Sequence, residues 1–273
     1  MAVHIELKIA VTNKQQREML LAQLADTGIC GFEEDAQWLK AFIPEADYEK
    51  TIFDEIIEQN GLSYSLSAIE DRNWNEEWES GFQPVVIDDF CAIRAAFHPA
   101  VTAVKHEIII TPKMSFGTGH HATTCMMVKA MAGIDFQGKQ VFDFGTGTGV
   151  LAILAEKMGA GTVTAIDNDD WSIDNAKENF NSNNCHKVLL SKEENIIENV
   201  EYDVLLANIN RNIILQNLAS IKQHLAPDGV VLLSGLLTGD EPVILTEAHR
   251  QQLVLSHRLE MNGWICLLMV ISK

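Results

Sequence analysis

VFDFGTGTGVLAILA, residues 141–155, decides the fold of this chain. Its first four residues are rich in apolar side chains and typical of a buried strand, and glycine then stands at positions 145, 147 and 149. A helical pattern begins at Val150, and Gly159 is placed to end it. Because glycine lacks a side chain, such a turn lets a ligand reach backbone N–H groups directly. The stretch therefore predicts a strand, a ligand-binding turn and a helix in one run.

A carboxylate stands at the end of the next predicted strand. Residues 162–166, TVTAI, are followed by Asp167, which lies 22 residues after Gly145. At this spacing a parallel neighbouring strand presents an acidic side chain to the hydroxyl groups of a ribose. The two strands together predict a nucleoside pocket at the carboxyl edge of a parallel sheet.

The glycine spacing discriminates between nucleoside cofactors. A dinucleotide fingerprint, Gly-x-Gly-x-x-Gly, requires a third glycine at position 150, where the chain has Val150. The pattern Asp143-x-Gly-x-Gly-x-Gly with Asp167 downstream instead resembles motif I and the ribose-binding acid of class I S-adenosylmethionine-dependent methyltransferases. S-adenosylmethionine has a ribose diol for Asp167 and a methionine carboxylate for the loop amides. The alternative is an ordinary strand-turn-helix in which the glycines only permit close packing.

Length and composition allow two domains. The chain has 273 residues, of which 47% are hydrophobic, enough for one large core and a smaller one. We expect a substrate-recognition domain over residues 1–69, a linker helix over 70–81 and the methyltransferase domain over 82–273. In the linker, Trp74 and Trp78 share one helix face. They are interpreted as packing the linker against a domain, with stacking on a ligand as the alternative.

The predicted recognition domain is a small α+β unit. Alternation predicts a strand from His4 to Val11, and Asn13 can cap a helix that ends at Gly28, with Met19, Leu20, Leu21 and Leu24 on its apolar face. The order βαββαβ is completed by strands near 30–33 and 38–43, a helix over 46–60 and a strand over 62–69. This order predicts a ferredoxin-like fold. A purely structural appendage is the alternative to a recognition role.

Charge and composition exclude several classes of protein. The N-terminus lacks a continuous apolar segment and no stretch is long enough to span a bilayer, so a soluble cytoplasmic protein without membrane contact is expected. A formal net charge of −18 disfavours direct nucleic-acid binding and favours a basic partner, although acidity also serves solubility alone. Five cysteines without a Cys-x-x-Cys pair predict reduced, mostly buried thiols: Cys30, Cys91, Cys125, Cys185 and Cys266.

MSFGTGHHATT, residues 114–124, is a second informative stretch. Its Gly-x-Gly run predicts a mobile loop, and its threonines can cap a helix over Thr124–Met131, with the Thr124 hydroxyl toward the cofactor. His120 and His121 invite a metal hypothesis, but sequence neighbours seldom converge on one ion and no further ligand stands at a suitable spacing. We therefore expect no metal and interpret both as turn or lid residues. Upstream, residues 90–97 and 106–111 are predicted to form a hairpin.

The rest of the chain alternates helices and strands. Helices are predicted over 170–183, 212–225 and 241–252, and strands over 187–191, 202–207 and 230–234, the last after a turn at 227–229. The final strands, 253–260 and 264–271, share the tight Met261-Asn262-Gly263 turn and must be antiparallel. We therefore predict an α/β class I methyltransferase fold: a Rossmann-like, mostly parallel seven-stranded sheet with one antiparallel strand, plus the small ferredoxin-like domain.

Three motifs narrow the resemblance to one family. SFGTGHHATT at 115–124, DFGTGTGVLAI at 143–153 and Ala-Asn-Ile at 207–209 closely resemble PrmA, the methyltransferases of large-subunit ribosomal protein L11. Many members have THPTT where this chain has HHATT, a change that reshapes the loop but keeps Thr124. The resemblance implies cofactor contacts at Thr124, Gly145, Asp167 and Asn208, and methylation of lysine side chains and an N-terminal α-amine of L11. Asp143 and Gly147 of the glycine motif are assigned to the same cofactor site.

Amine methylation requires a neutral nitrogen, and Asn208 fits that requirement. A lysine with a pKa of about 10.4 is rarely neutral at pH 7, and an apolar pocket favours its uncharged form. The Asn208 side-chain oxygen, with the Ile209 carbonyl as a second acceptor, can orient the amine, which makes Asn208 the expected catalytic residue. A turn cap is its alternative role.

Rival functions remain at this stage. The run Asn208-Ile209-Asn210-Arg211 lacks an aromatic ring for a flipped base, which disfavours a nucleic-acid methyltransferase. That activity, a small-molecule methyltransferase and a non-catalytic S-adenosylmethionine-binding assembly factor are the alternatives to L11 methylation. We expect a monomer.

Overall fold

The computed structural model describes residues 4–13, 16–17, 20, 23–24, 27–29, 31–34, 37–69, 82–113, 117–196 and 200–272. The chain divides into two units, residues 1–77 and 78–273. The predicted linker helix with its two tryptophans, and Cys30, lie outside the described residues. None of the described helices is long and apolar enough to cross a membrane.

The first unit has the predicted ferredoxin-like sheet. Its elements are β1 (His4–Ala10), β2 (Gly31–Glu34), β3 (Trp38–Pro44), a 3₁₀ turn (Glu45–Asp47), α1 (Lys50–Gln59) and β4 (Tyr64–Ile69). The strand order is β2-β3-β1-β4 with every neighbouring pair antiparallel. Alternate residues of the central strands, Leu7, Ile9, Leu39, Ala41 and Ile43, are fully buried because one sheet face is covered.

The first predicted helix is partly described. Residues 16–17, 20 and 23–24 are helical, and the Asn13 side-chain oxygen accepts the Gln16 N–H at 3.0 Å, which confirms the predicted cap. Leu20 and Leu24 are fully buried on the predicted apolar face. Met19 and Leu21 lie outside the described residues.

The second unit is built on the predicted seven-stranded sheet. Its strands are β8 (Gln140–Phe144), β9 (Thr162–Asp167), β10 (Val188–Lys192), β11 (Tyr202–Asn208), β12 (Leu225–Leu237), β13 (Leu253–Met261) and β14 (Trp264–Ile271). The order is β10-β9-β8-β11-β12-β14-β13, parallel from β10 to β12, with β14 antiparallel to both neighbours. The β13–β14 turn places both Asn262 and Gly263 at positive φ, as a two-residue hairpin requires.

Helices cover both faces of this sheet. They are α2 (Ala122–Met131), α3 (Val150–Lys157), α4 (Asp170–Ser182), α5 (Arg211–Gln223) and α6 (Glu241–Arg250). One buried cluster joins α2, α3 and α4 to Val141, and the other joins α5 and α6 to Phe142. Successive β8 residues thus point to opposite faces, and the loop after β8 emerges between the two layers.

The prediction that residues 90–97 and 106–111 form a hairpin is wrong. Strand β6 (Cys91–Ala95) pairs antiparallel with β5 (Val85–Ile87), but β7 (His106–Ile110) lies parallel to β6. The ten residues 96–105 cross over instead of turning back. Arg94 holds this connection, with two hydrogen bonds to the Glu107 carboxylate at 2.8 and 2.9 Å and two to the carbonyls of Ala95 and His98.

Two further boundaries differ from the prediction. Helix α2 begins at Ala122, and its cap is His121, not a threonine, because the His121 Nδ1 accepts the Thr123 N–H. The turn predicted at 227–229 lies within β12, whose pairing with β11 jumps from Leu225 opposite Tyr202 to Val230 opposite Val204. The intervening residues loop out of an otherwise continuous strand.

Candidate cofactor and acceptor site

A cleft of about 630 Å³ opens at the carboxyl edge of the seven-stranded sheet. The ends of four strands contribute Gly145 and Gly147 after β8, Asp167 at the end of β9, Asn208 at the end of β11 and Gly235 of β12. Strand order changes direction between β8 and β11, and ligands of open α/β sheets bind at such a point. Four of the six sequence-predicted site residues therefore meet in one cleft: Gly145, Gly147, Asp167 and Asn208.

The glycine turn is held by hydrogen bonds within the protein. Gly145, Gly147 and Gly149 all have positive φ. The amides of Gly145 and Thr146 donate to the Ile166 carbonyl, and that of Gly147 donates to the Asp167 carboxylate at 2.9 Å. The expectation that loop amides receive a ligand stays a prediction, and at these three positions a ligand would compete with acceptors of the protein. The glycines instead allow close approach, and the Gly147 amide fixes the Asp167 side chain.

Ile209 explains why glycine is required at two positions of the cleft. A Cβ atom at Gly145 would lie 2.4 Å from the Ile209 Cγ2, and one at Gly235 would lie 2.2 Å from the Ile209 carbonyl oxygen. Real Cβ atoms do not come so close to other heavy atoms, so both residues must be glycine while Ile209 keeps its place. The sequence analysis missed Gly235, although a glycine after the predicted strand 230–234 was a signal.

Asp143 lies beneath the cleft. Its side chain is 1% exposed, and its Oδ2 accepts the Thr146 hydroxyl at 2.6 Å, whereas its Oδ1 has no hydrogen-bond partner among the described residues. Burial, together with the nearby negative charge of Asp167, raises the pKa of Asp143 to about 7 against the opposing Thr146 hydrogen bond. A buried carboxyl with an unpaired oxygen is destabilising in its charged form, which agrees with the direction of this shift.

Asn208 and Thr124 form a pair at the floor of the cleft. The Asn208 Nδ2 lies 3.3 Å from the Thr124 hydroxyl, which leaves the Asn208 Oδ1 buried and without a partner among the described residues. Thr124 is 1% exposed and lines a separate small cavity of about 20 Å³, shared with Asn208 and Gly145. Thr124 is therefore near the predicted cofactor residues but behind them.

His121 and Trp264 stand at the end of the cleft beyond Asn208. Their rings meet edge to face with centroids 4.7 Å apart. His120 instead packs on Phe82 with centroids 4.8 Å apart, and it does not line the cleft. In the described part of the chain, no group of three or more His, Cys, Asp and Glu side chains is arranged to hold a metal ion. Sequence reasoning missed Trp264, because it joins the site only through the pairing of β14 with β12.

The opposite end of the cleft is polar and acidic. Glu193, Glu194 and Asn195 follow β10, and Asn168 and Ser172 follow Asp167. These residues were also missed, although each group stands directly after a predicted strand. The cleft thus runs from an acidic end beside β10 and β9 to an aromatic end beside β12 and β14.

Known proteins are similar to this chain in sequence. A family model described as "Ribosomal protein L11 methyltransferase (PrmA)" matches residues 4–271. Proteins with that name from Porphyromonas gingivalis and Chlorobaculum tepidum are 40% identical over 258 residues and 41% identical over 252 residues. These alignments cover 92% and 88% of this chain and 89% and 86% of the relatives.

Solved structures share the fold of this chain. The ribosomal protein L11 methylase of Lactobacillus delbrueckii subsp. bulgaricus matches with a TM-score of 0.65 at 26% identity, covering 70% of this chain and all of that one. A methyltransferase from Pyrococcus furiosus matches with a TM-score of 0.51 at 18% identity, over 60% of this chain and 88% of that chain, which supports the fold alone. The second unit has the class I methyltransferase fold, and the chain belongs to the PrmA family of ribosomal protein L11 methyltransferases.

Proposed function

We propose that this protein transfers methyl groups from S-adenosylmethionine to lysine side-chain amines and the N-terminal α-amine of ribosomal protein L11. The observation that carries the proposal is the meeting of Gly145, Gly147, Asp167 and Asn208 in one cleft of a chain with PrmA family sequence. The cleft has an end suited to a nucleoside and an end suited to an amine, and Asn208 lies between them.

The residues present fit the cofactor. Each Asp167 oxygen accepts one backbone N–H, from Gly147 and from Asp169, and retains lone pairs for ribose hydroxyls. The buried Asp143 Oδ1 and Asn208 Oδ1 lack partners among the described residues and can accept from a ligand. Thr124 supports the Asn208 amide from behind. When bound, S-adenosylmethionine supplies a methyl group on a positively charged sulfur.

The aromatic end of the cleft suits the acceptor. An amine attacks only as its neutral form, which costs about 4.6 kcal/mol for a lysine and about 1 kcal/mol for an α-amine at pH 7. Trp264 and Ile209 give this end apolar surface, which disfavours the ammonium form. The Asn208 Oδ1 accepts an N–H from the amine and so orients its lone pair, whereas a carboxylate there would hold the charged form.

Charge and layout support a basic protein substrate. The net charge of −18 attracts a basic protein and repels nucleic acid. The first unit, with its own core, is proposed to recognise L11. We propose that the enzyme works as a cytoplasmic monomer without direct nucleic-acid contact.

Incubation with labelled S-adenosylmethionine tests this function. Purified L11 should become labelled, with the added methyl groups located by mass spectrometry on lysine and α-amines, whereas ribosomal RNA should not. The Asn208→Ala variant should bind the cofactor but label L11 far more slowly. Labelled RNA with unlabelled L11 would reveal a nucleic-acid methyltransferase. If L11 from cells lacking this chain kept all its methyl groups, a non-catalytic role would be favoured instead.

A further inference from the structure

Two asparagines of α4 and the asparagine that caps its C-terminus form a row on one face of the helix. Asn175, Asn179 and Asn183 are spaced four residues apart, and the first two are fully buried. Asparagine disfavours helix interiors because its amide competes for backbone hydrogen bonds. Burial of such side chains is costly unless their donors and acceptors are paired. The partners of this row therefore indicate what the asparagines contribute.

Asn179 connects α4 to the glycine turn. Its Nδ2 donates to the Thr148 carbonyl at 2.8 Å and to the Asn175 Oδ1 at 2.7 Å, while its Oδ1 accepts the Thr111 N–H at 2.7 Å. One buried amide thus joins the glycine turn to the segment that follows β7. Only a neutral side chain with both a donor and an acceptor can make these bonds together.

Other contacts make Thr148 and its neighbour the fixed end of the turn. The Thr148 hydroxyl donates to the Gly117 carbonyl at 2.9 Å. A Cβ atom at Gly149 would lie 2.5 Å from the Phe180 ring and 3.4 Å from the Ala176 Cβ, so α4 packs directly on the turn. Thr148 and Gly117 also line the small cavity whose other walls include Thr124 and Asn208. A shift of the Thr148 backbone would therefore change the floor of the proposed cofactor site.

We infer that Asn179 is a positioning residue for the cofactor: it holds the Thr148 carbonyl and the Thr111 amide, and thereby keeps the glycine turn in its binding conformation. The inference rests on the proposed function, because it concerns the same cofactor. Asn179 does not line the cleft and acts through the backbone of the turn.

Asn183 provides a matched control. Its Nδ2 donates to the Ile109 carbonyl at 2.6 Å and to the Asn179 carbonyl at 2.8 Å, and its Oδ1 accepts the Ile109 N–H at 3.0 Å. Like Asn179, it ties α4 to the backbone near β7, but none of its bonds reaches the glycine turn. Aspartate at either position keeps the acceptor and loses the donor.

The test compares Asn179→Asp and Asn183→Asp in the full-length protein. Calorimetry with S-adenosylmethionine should show a dissociation constant about tenfold higher for Asn179→Asp, since an oxygen then faces the Thr148 carbonyl. Asn183→Asp should change it by less than about twofold. In steady-state assays, Asn179→Asp should raise the KM for the cofactor and leave the KM for L11 unchanged. Thermal unfolding should show a larger loss of Tm for Asn179→Asp, whose carboxylate would be fully buried, than for Asn183→Asp, whose side chain is half-buried.

Unchanged cofactor affinity in Asn179→Asp, or equal affinity losses in both variants, would overturn the inference. Should Asn179→Asp not fold, Asn179→Ala removes the donor to the Thr148 carbonyl without adding charge, and the same affinity loss is expected. A wild-type protein that binds no S-adenosylmethionine would instead overturn the proposed function itself.

Discussion

Asp143 is a carboxyl group whose surroundings disfavour its charged form. Burial raises its pKa to about 7 in the folded protein, whereas an unfolded aspartate titrates near about 3.9. Between these pH values the folded state holds a proton that the unfolded chain has lost. The free energy of unfolding attributable to Asp143 therefore falls as pH rises from about 4 to 7 and then stays low.

Replacing Asp143 by asparagine should remove this pH dependence. We expect the stability of Asp143→Asn relative to wild type to increase by about 2 kcal/mol between pH 5.5 and 8, because only the wild type must ionise the buried carboxyl. Urea unfolding at the two pH values measures the difference. The variant should also bind S-adenosylmethionine more weakly, as expected for a group kept for its ligand. An equal stability difference at both pH values would contradict the assigned pKa.

Gly235 should be as intolerant of a side chain as Gly145. In Gly235→Ala, the new Cβ would meet the Ile209 carbonyl at 2.2 Å and the residue would keep a φ of +82°. We expect methyl transfer to fall by about tenfold or more, because Ile209 adjoins Asn208 and moves with it. Gly239→Ala is the control, since a Cβ there has no heavy atom within 4 Å. Initial rates with saturating cofactor compare the two; equal rates would contradict the crowding argument.

The candidate site residues that lie at the ends of strands were predictable from the sequence. Asp167 and Asn208 each follow a recognisable apolar strand, so parallel packing brings them together. Trp264 begins the last strand and reaches the cleft only because β14 inserts between β12 and β13. No local pattern records that insertion. The use of loop amides by a ligand stays a prediction, and the Ile166 carbonyl and the Asp167 carboxylate compete for three of these donors.

At the scale of elements, hydrophobic alternation and capping residues predicted which helices and strands exist better than they predicted how the strands pair. The strands of the ferredoxin-like unit and the β13–β14 hairpin follow from period-two burial and a two-residue turn. The direction of β7 relative to β6 did not follow, because a connection of ten residues permits either direction. The hydrogen bonds between Arg94 and Glu107 join the two strands, and the apolar pattern of the sequence gives no sign of them.

Arg94 should be important for the stability of this three-stranded region. Its side chain is 9% exposed and pairs with Glu107, which is 27% exposed. The ion pair also keeps the pKa of Glu107 below its usual value. Arg94→Met should lower the free energy of unfolding by about 3 kcal/mol, because a partly buried carboxylate loses its partner. Arg250→Met is the control. It breaks the ion pair with Glu247, in which the Arg250 side chain is 71% exposed, and should cost about 0.5 kcal/mol or less. Denaturant unfolding distinguishes them, and equal costs would refute the role.

At the scale of the whole molecule, the two units have separate hydrophobic cores. The core of the first unit, with the residues packed against it, lies within residues 5–64, and both buried clusters of the second contain residues from 82 onward. Each unit therefore holds enough buried apolar surface of its own to be treated as a domain. A division into two domains is also what composition and element order predict, and the domain roles, their boundaries and the linker stay predictions.

Deleting residues 1–69 should separate cofactor binding from substrate recognition. We expect the truncated protein to bind S-adenosylmethionine with unchanged affinity, because the cleft consists of residues 121–264. Methylation of intact L11 should be lost, because the proposed recognition domain is missing. Calorimetry and methylation assays on the same preparation measure both properties. Full activity of the truncation on L11 would refute the recognition role.

The wedge of Ile209 between Gly145 and Gly235 also constrains how this sequence can change over time. An alanine at either glycine would strike an atom of residue 209. At Gly145 the obstacle is a side-chain methyl, so a smaller residue at 209 removes the clash and leaves the strain of the positive φ of Gly145. At Gly235 the obstacle is main chain, which no replacement at 209 removes. Descendants of this enzyme are therefore freer to vary at 145 than at 235, provided that the substitutions arise in the right order.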